Sequence, residues 1–279
     1  MEKVFIVTGA SSGMGKEAAL GLAGEGSTVV LACRNESKGK MALEEIRRKS
    51  GSSSLELMIL DLADLRSVRQ MAAEFQETHS RLDVLLNNAG LILTKREVTV
   101  DGFEMTFQVN YLSHFLLTHL LLDSLKRSAP SRVINVSSSA HTSAHIHFDD
   151  LQCEKRYSAF RAYGQSKLAQ VLFTYELARR LAGTKVDVNC LHPGAVASNW
   201  GRGSGSWLSA GLRLVSVFMK SPQKGAETSI FLATAPELEG VTGKYFSNKH
   251  ETKSSIESYN EEYGKRLWDT SCELLGIKA

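Results

Sequence analysis

The chain has 279 residues, 43% of them hydrophobic and 23% charged, with 33 Lys and Arg against 30 Asp and Glu. That balance belongs to a globular protein able to bury a core without metal or disulfide staples. The net charge of +3 is scattered rather than gathered in a run, which argues against a nucleic-acid partner.

Met1-Glu2-Lys3 leads straight into the apolar run Val4-Phe5-Ile6-Val7, read as a strand buried on both faces. No cleaved signal or membrane span is expected ahead of it. Ala18, Ala19 and Leu22 share one side of a helix from Met14 to about Glu25, and Thr28-Val29-Val30-Leu31 starts a second strand. A polar helix from about Ser37 to Arg48, a strand at Leu57 to Leu60, a helix from about Leu65 to His79 and a strand at Val84 to Leu86 continue the alternation. One long apolar helix is predicted from about Val109 to Leu125, then a strand at Val133 to Val136, a helix from about Ala162 to Leu181 and a strand at Val186 to Asn189. A strand at Gly243 to Phe246 and a helix near Ile256 to Leu275 close the series. The alternation predicts an α/β chain: a single-domain Rossmann fold with a doubly wound, mostly parallel, seven-stranded sheet and helices on both faces. No linker divides it, so residues 1–279 are read as one dinucleotide-binding and catalytic unit.

Thr8-Gly9-Ala10-Ser11-Ser12-Gly13-Met14-Gly15 lies between the first strand and the first helix. Backbone N–H groups at such a helix start bind anionic phosphate, and glycines permit positive φ and close approach. The spacing is Gly-x-x-x-Gly-x-Gly, distinct from the commoner Gly-x-Gly-x-x-Gly fingerprint. Arg34, followed by Asn35, stands at the end of the second strand, where an acid would hold both ribose hydroxyls of NAD. A guanidinium there suits a 2′-phosphate, so NADP(H) is expected over NAD(H). Asp61, beside Leu62, is placed to accept from the amino group of adenine, its competing reading being a helix cap. Asn87-Asn88-Ala89-Gly90 closes the fourth strand, where small residues let the chain pass close to adenosine and amide side chains tie strands together.

Tyr163 and Lys167 are four apart on a predicted helix, so the phenol and the ammonium share a face. A positive neighbour is expected to lower the phenol pKa and allow proton transfer. Cys33, Cys153, Cys190 and Cys272 form no Cys-x-x-Cys pair, and the histidines His141, His145 and His147 have no further ligand at metal spacing. No metal is expected, and a reducing cytoplasm fits the free cysteines.

With these motifs in place, the chain resembles the short-chain dehydrogenase/reductase family from Val4 to Phe246. Thr8 to Gly15, Asn87 to Gly90, Asn110, Asn135-Val136-Ser137-Ser138, Tyr163 to Lys167 and Pro193-Gly194 follow the family's order. The resemblance implies that Tyr163 is the general acid or base. Lys167 would lower the phenol pKa and hold the nicotinamide ribose, Ser138 would hydrogen-bond the substrate oxygen, and Asn110 would hold a relay water. Ser137 and Ser139 compete for the serine role. It also implies that Pro193, Gly194, Val196 and Ser198 lie beside the nicotinamide, with a substrate lid at about 198–220. The long Ser138-to-Tyr163 gap, with Phe148-Asp149-Asp150-Leu151 in it, resembles the retinol-dehydrogenase-like branch. An apolar aldehyde, ketone or alcohol substrate follows by that resemblance.

Three functions compete. The first is a hydride-transferring oxidoreductase; the second is an epimerase or dehydratase that also binds a nicotinamide; the third is a non-catalytic dinucleotide sensor. The glycine spacing and the short C-terminal part disfavour the second, and an intact Asn110, Ser138, Tyr163 and Lys167 set disfavours the third. Apolar residues around Leu116 to Leu122 and Leu168 to Leu177 would suit either a homodimer or homotetramer or packing on the sheet. The apolar stretch 201–220 leaves peripheral membrane contact open.

Overall fold

The structure is a computed structural model that describes residues 2–24, 27–194 and 221–278. Its strands are β1 Lys3–Thr8, β2 Ser27–Cys33, β3 Leu55–Ile59, β4 Val84–Asn87, β5 Ser131–Val136, β6 Val186–His192, β7 Lys244–Ser247 and β8 His250–Glu251. They form one eight-stranded sheet in the order β3-β2-β1-β4-β5-β6-β7-β8. All neighbours are parallel except β7 and β8. The expected seven strands are thus joined by an eighth. It has two residues, too few for a periodicity signal, and its turn uses Asn248 and Lys249 at φ 52° and 67° with no glycine to announce it.

Helices cover both faces because the strand interiors are apolar on both sides. On one face α1 Gly13–Leu22, α2 Glu36–Ser50 and a helix at Pro222–Thr234 pack over Phe5, Val7, Val29 and Leu31. On the other, α3 Leu65–Thr78 and α7 Ala159–Arg180 pack over Ile6, Leu85 and Val133 with the C-terminal helix at Glu261–Leu275. We label the last two described helices α8 (Pro222–Thr234) and α9 (Glu261–Leu275). α8 had no counterpart among the predicted elements, since Pro222 at its start reads as punctuation until Ser221 is seen capping the Lys224 N–H.

The long helix expected over 109–125 is broken. It consists of a short α4 Met105–Phe107, a π-turn Gln108–Leu112, α5 Ser113–Leu120 and α6 Leu122–Arg127, with Leu121 at φ −93° and ψ 3°. Apolar spacing gives no warning of an inserted π residue. The final helix likewise splits into a 3₁₀ turn at Ile256–Tyr259 and α9, whose start is capped by Asn260 Oδ1 accepting from Tyr263. No described helix is long and apolar enough to cross a membrane.

The chain leaves β1 toward β2 on one side and reaches β4 on the other, so the carboxyl ends of β1 and β4 flank the point where the winding reverses. A crevice opens there in any sheet wound both ways.

Candidate active site

A cleft lies over the carboxyl ends of β1, β2 and β4. Gly9, Ser11, Ser12, Gly13, Met14, Gly15, Arg34, Asp61, Leu62, Asn88, Ala89 and Gly90 line it, as the sequence predicted, together with Ala32, Leu60, Leu91, Ile92 and Val109. The five unpredicted residues present small or apolar surface, which no motif marks. Asn35, also expected to contact the cofactor, does not line the cleft: its side chain caps α2 by accepting from the Lys38 N–H at 2.9 Å.

Two glycines shape the floor. Gly9 sits at φ +69°, and a Cβ on Gly15 would be driven into the Gly9 carbonyl and the Asn88 amide. The first turn of α1 therefore comes hard against β1 and β4. Ser12 makes no side-chain cap and no acid stands in the first turn, which leaves the helix's leading N–H groups directed at the cleft. Arg34, exposed on the rim, makes no hydrogen bond or ion pair among the described residues. Asp61 accepts from the Ala63 N–H at 2.9 Å, a local turn, while the cap of α3 is Asp64. This donor set, an open helix start with an unpaired guanidinium beyond it, fits a phosphate-bearing dinucleotide.

Asn87 and Asn88 divide the structural tasks. Asn87 Nδ2 donates to Thr118 Oγ1 at 3.0 Å and Asn135 Oδ1 at 2.9 Å, tying β4 to β5 and α5. Asn88 Nδ2 donates to the Thr8 carbonyl at 2.8 Å, holding β4 to the end of β1.

Beside the cleft, β5 and α7 bring the expected catalytic residues together. Tyr163 is 5% exposed, and its phenol meets the Ser138 hydroxyl. Ser137 is buried with its hydroxyl donating to the Lys167 carbonyl at 2.8 Å, and Ser139 is exposed, so Ser138 alone of the three serines faces the phenol. Lys167 Nζ lies 5.6 Å from the Tyr163 ring centre and donates to the Val136 carbonyl at 2.8 Å and Gln170 Oε1 at 2.9 Å. A Cβ placed on Gly90 would stand 3.3 Å from Asn110 Oδ1 and 3.4 Å from Lys167 Nζ, which fixes how closely these three groups converge.

Electrostatics here correct the sequence reading. Burial pushes the Tyr163 phenol up, outweighing the hydrogen bond from Ser138, and the nearby ammonium does not reverse that direction. The same burial pushes Lys167 down to about 7. Withdrawal from water, not the pairing of the two groups, dominates both.

Asn110 sits in the π-turn. Its Oδ1 accepts from the Leu91 N–H at 2.8 Å, and its Nδ2 donates to the Leu91 carbonyl at 2.9 Å and Ser166 Oγ at 3.0 Å. Both amide hydrogens are committed, so a water could engage only the remaining Oδ1 lone pair. Pro193 and Gly194 follow β6, with Gly194 at φ +90°. Val196, Ser198 and the expected lid at about 198–220 fall outside the described residues.

The loop histidines act as fasteners. His141 Nδ1 meets the Ser138 carbonyl at 2.6 Å and its Nε2 accepts from the Ser255 N–H at 3.1 Å; His145 pairs with Glu257 at 2.6 Å. They bind the long loop to the segment before α9, a partnership no spacing in the sequence reveals.

A family model described as short chain dehydrogenase matches residues 3–208. Mouse retinol dehydrogenase 11 is 48% identical over 277 residues, spanning 99% of this chain and 87% of that protein. The crystal structure of an uncharacterised protein from Mycobacterium paratuberculosis has a TM-score of 0.80 at 32% identity, covering 99% of this chain and 94% of that one. The Pseudomonas aeruginosa RhlG/NADP active-site complex has a TM-score of 0.70 at 29% identity, covering 88% and 93%.

Proposed function

The chain belongs to the short-chain dehydrogenases, in their retinol-dehydrogenase-like branch, and we propose that it is an NADP(H)-dependent oxidoreductase acting on an apolar aldehyde, ketone or alcohol. The observation that carries the reading is the convergence of Ser138, Tyr163 and Lys167 at the edge of a cleft floored by Gly9 and Gly15. Arg34 supports the choice of NADP(H): a rim guanidinium with no partner among the described residues, and no carboxylate at the end of β2 to engage ribose hydroxyls. The relatives named for retinol support an apolar substrate, and the neighbour described with NADP supports the cofactor.

In this reading the N–H groups at the start of α1 hold the pyrophosphate, Arg34 the 2′-phosphate, and Asp61 and Leu62 border the adenine. A nicotinamide dinucleotide seated there supplies or takes up the hydride at the substrate carbon. Tyr163 gives its phenolic proton to the carbonyl oxygen during reduction and takes it back during oxidation. Ser138 donates to the same oxygen, so charge developing on it meets two fixed hydroxyls rather than water. Lys167, held by Val136 and Gln170, keeps a proton beside the phenol.

The Gly-x-x-x-Gly-x-Gly spacing speaks against an epimerase, and a sensor needs no serine hydroxyl turned onto the phenol. Tyr163→Phe removes one oxygen from a buried site. It should lower kcat with all-trans-retinal, or with a medium-chain aldehyde, by at least about a thousandfold, while NADPH affinity changes little. Turnover within tenfold of the parent would end the mechanism.

A further inference from the structure

His114 lies on α5, one turn after the π-turn, and is 1% exposed. It touches neither the cleft nor Tyr163, yet it is bonded at both ring nitrogens. Nδ1 is 3.0 Å from the Asn110 carbonyl, and Nε2 is 3.0 Å from Thr8 Oγ1. A carbonyl only accepts, so Nδ1 carries the hydrogen. Thr8 Oγ1 already accepts two N–H groups, from Asn88 at 2.9 Å and Ala89 at 3.0 Å. Its own O–H has two acceptors in reach, the Leu86 carbonyl at 3.4 Å and His114 Nε2 at 3.0 Å, and the shorter contact is to the ring. With the O–H turned to the ring, the ring is neutral and its bare Nε2 accepts from Thr8.

The bonds run in one direction. The N–H groups of Asn88 and Ala89 donate to Thr8, Thr8 donates to His114, and His114 donates to Asn110. Asn110 in turn donates to Ser166, whose hydroxyl donates to the Tyr163 carbonyl. One chain thus joins the ends of β1 and β4, the π-turn and the catalytic helix α7. Each supplies part of the cleft or the proton path.

We propose that His114 is a positioning residue which, as the neutral Nδ1–H tautomer, locks the cofactor floor at Thr8 and Asn88 to the Asn110 turn. Cofactor seating and proton path then move as one unit. The consequence for turnover rests on the oxidoreductase reading; the tautomer and the lock do not. Burial, with the Lys167 charge from α7 beside it, holds the His114 pKa down to about 4, and the groups bonded to the ring, Thr8 and Asn110, are neutral.

The test starts with the protein free of cofactor. Nitrogen-15 NMR of the ring should show His114 as the Nδ1–H tautomer, with no titration between pH 8 and pH 5. An Nε2–H tautomer, or titration near the ordinary histidine value, overturns the proposal. Two substitutions then separate the two bonds. An Asn carboxamide nitrogen takes the place of Nδ1, so His114→Asn keeps the bond to Asn110 and loses Thr8. A Gln amide reaches the place of Nε2, so His114→Gln keeps Thr8 and loses Asn110. His114→Asn should raise the Kd for NADPH about five- to tenfold and lower kcat less. His114→Gln should lower kcat by about that factor and leave the Kd within about twofold. Equal losses in both constants from both variants would make His114 an ordinary core residue, as would no loss in either. Should both variants fail to fold, the tautomer of the parent decides alone: Nδ1–H upholds the lock and Nε2–H overturns it. The tautomer is readable whether or not Tyr163→Phe abolishes turnover, so failure of the lock and failure of the catalytic reading are told apart.

Discussion

Lys167 holds its charge at a cost, because its ammonium is withdrawn from water with two neutral acceptors and no carboxylate among its bonds. Its pKa falls from 10.5 to about 7, so between those values the folded chain carries fewer protons than the unfolded one. Stability of the parent should then climb from pH 7 to pH 10.5 and gain nothing from this group below 7. Lys167→Met lacks that contribution. The unfolding free energy of the parent minus that of the variant should rise across the window by on the order of 3 to 5 kcal/mol, measured by denaturant titration. A flat difference would mean that the amine keeps its ordinary pKa in the fold. The Tyr-x-x-x-Lys spacing was legible from residues four apart, but the direction of both pKa shifts was not, since spacing does not tell how dry a site is. The choice of Ser138 over Ser137 depended on which hydroxyl the backbone of α7 had already claimed, a contact 30 residues away.

Among the elements, α9 bears on the question of a second copy. Leu116, Leu117, Leu168 and Leu172, candidates for pairing with a second copy, are 0–1% exposed within the single chain. α9 packs against α7 in the described residues and covers that face. Trp268 is central: its ring meets Phe115 at 4.8 Å and Phe173 at 6.1 Å, and the Arg180 guanidinium lies 4.2 Å over it. Truncating a buried Trp removes its transfer energy and leaves a cavity, about 3 to 5 kcal/mol. Trp268→Ala should therefore lower Tm by roughly 10 °C in a scan of the purified protein. A change under about 3 °C would show that α9 is not fastened to α7 as described. The strands and the four helices α1, α2, α3 and α7 were readable within a few residues, because burial on both sheet faces imposes long apolar runs. The π-turn, α8 and β8 were not, since each depends on a local backbone event or a partner far along the chain.

For the molecule as a whole, the reversal of winding between β1 and β4 decides where a ligand goes, and the alternation of strands and helices was enough to foresee it. On the reading proposed above, one rim side chain, Arg34, selects what the ligand carries on its ribose. Binding to the folded chain alone stabilises it by mass action, about 2.7 kcal/mol at a concentration one hundred times the Kd. For a chain of this size that corresponds to roughly 5 to 11 °C in Tm. NADPH should give a shift of this order, and NADH at the same concentration a clearly smaller one, because only NADPH offers Arg34 a phosphate to pair with. Arg34→Asp exchanges that cation for the carboxylate that suits free ribose hydroxyls, so the NADPH shift should shrink and the NADH shift should not. The guanidinium is exposed and screened, so the loss should be on the order of ten- to a hundredfold in NADPH affinity, not the larger figure of a buried pair. Equal shifts from the two dinucleotides in the parent would remove Arg34 from the specificity argument and leave the proton transfer proposed for Tyr163 untouched.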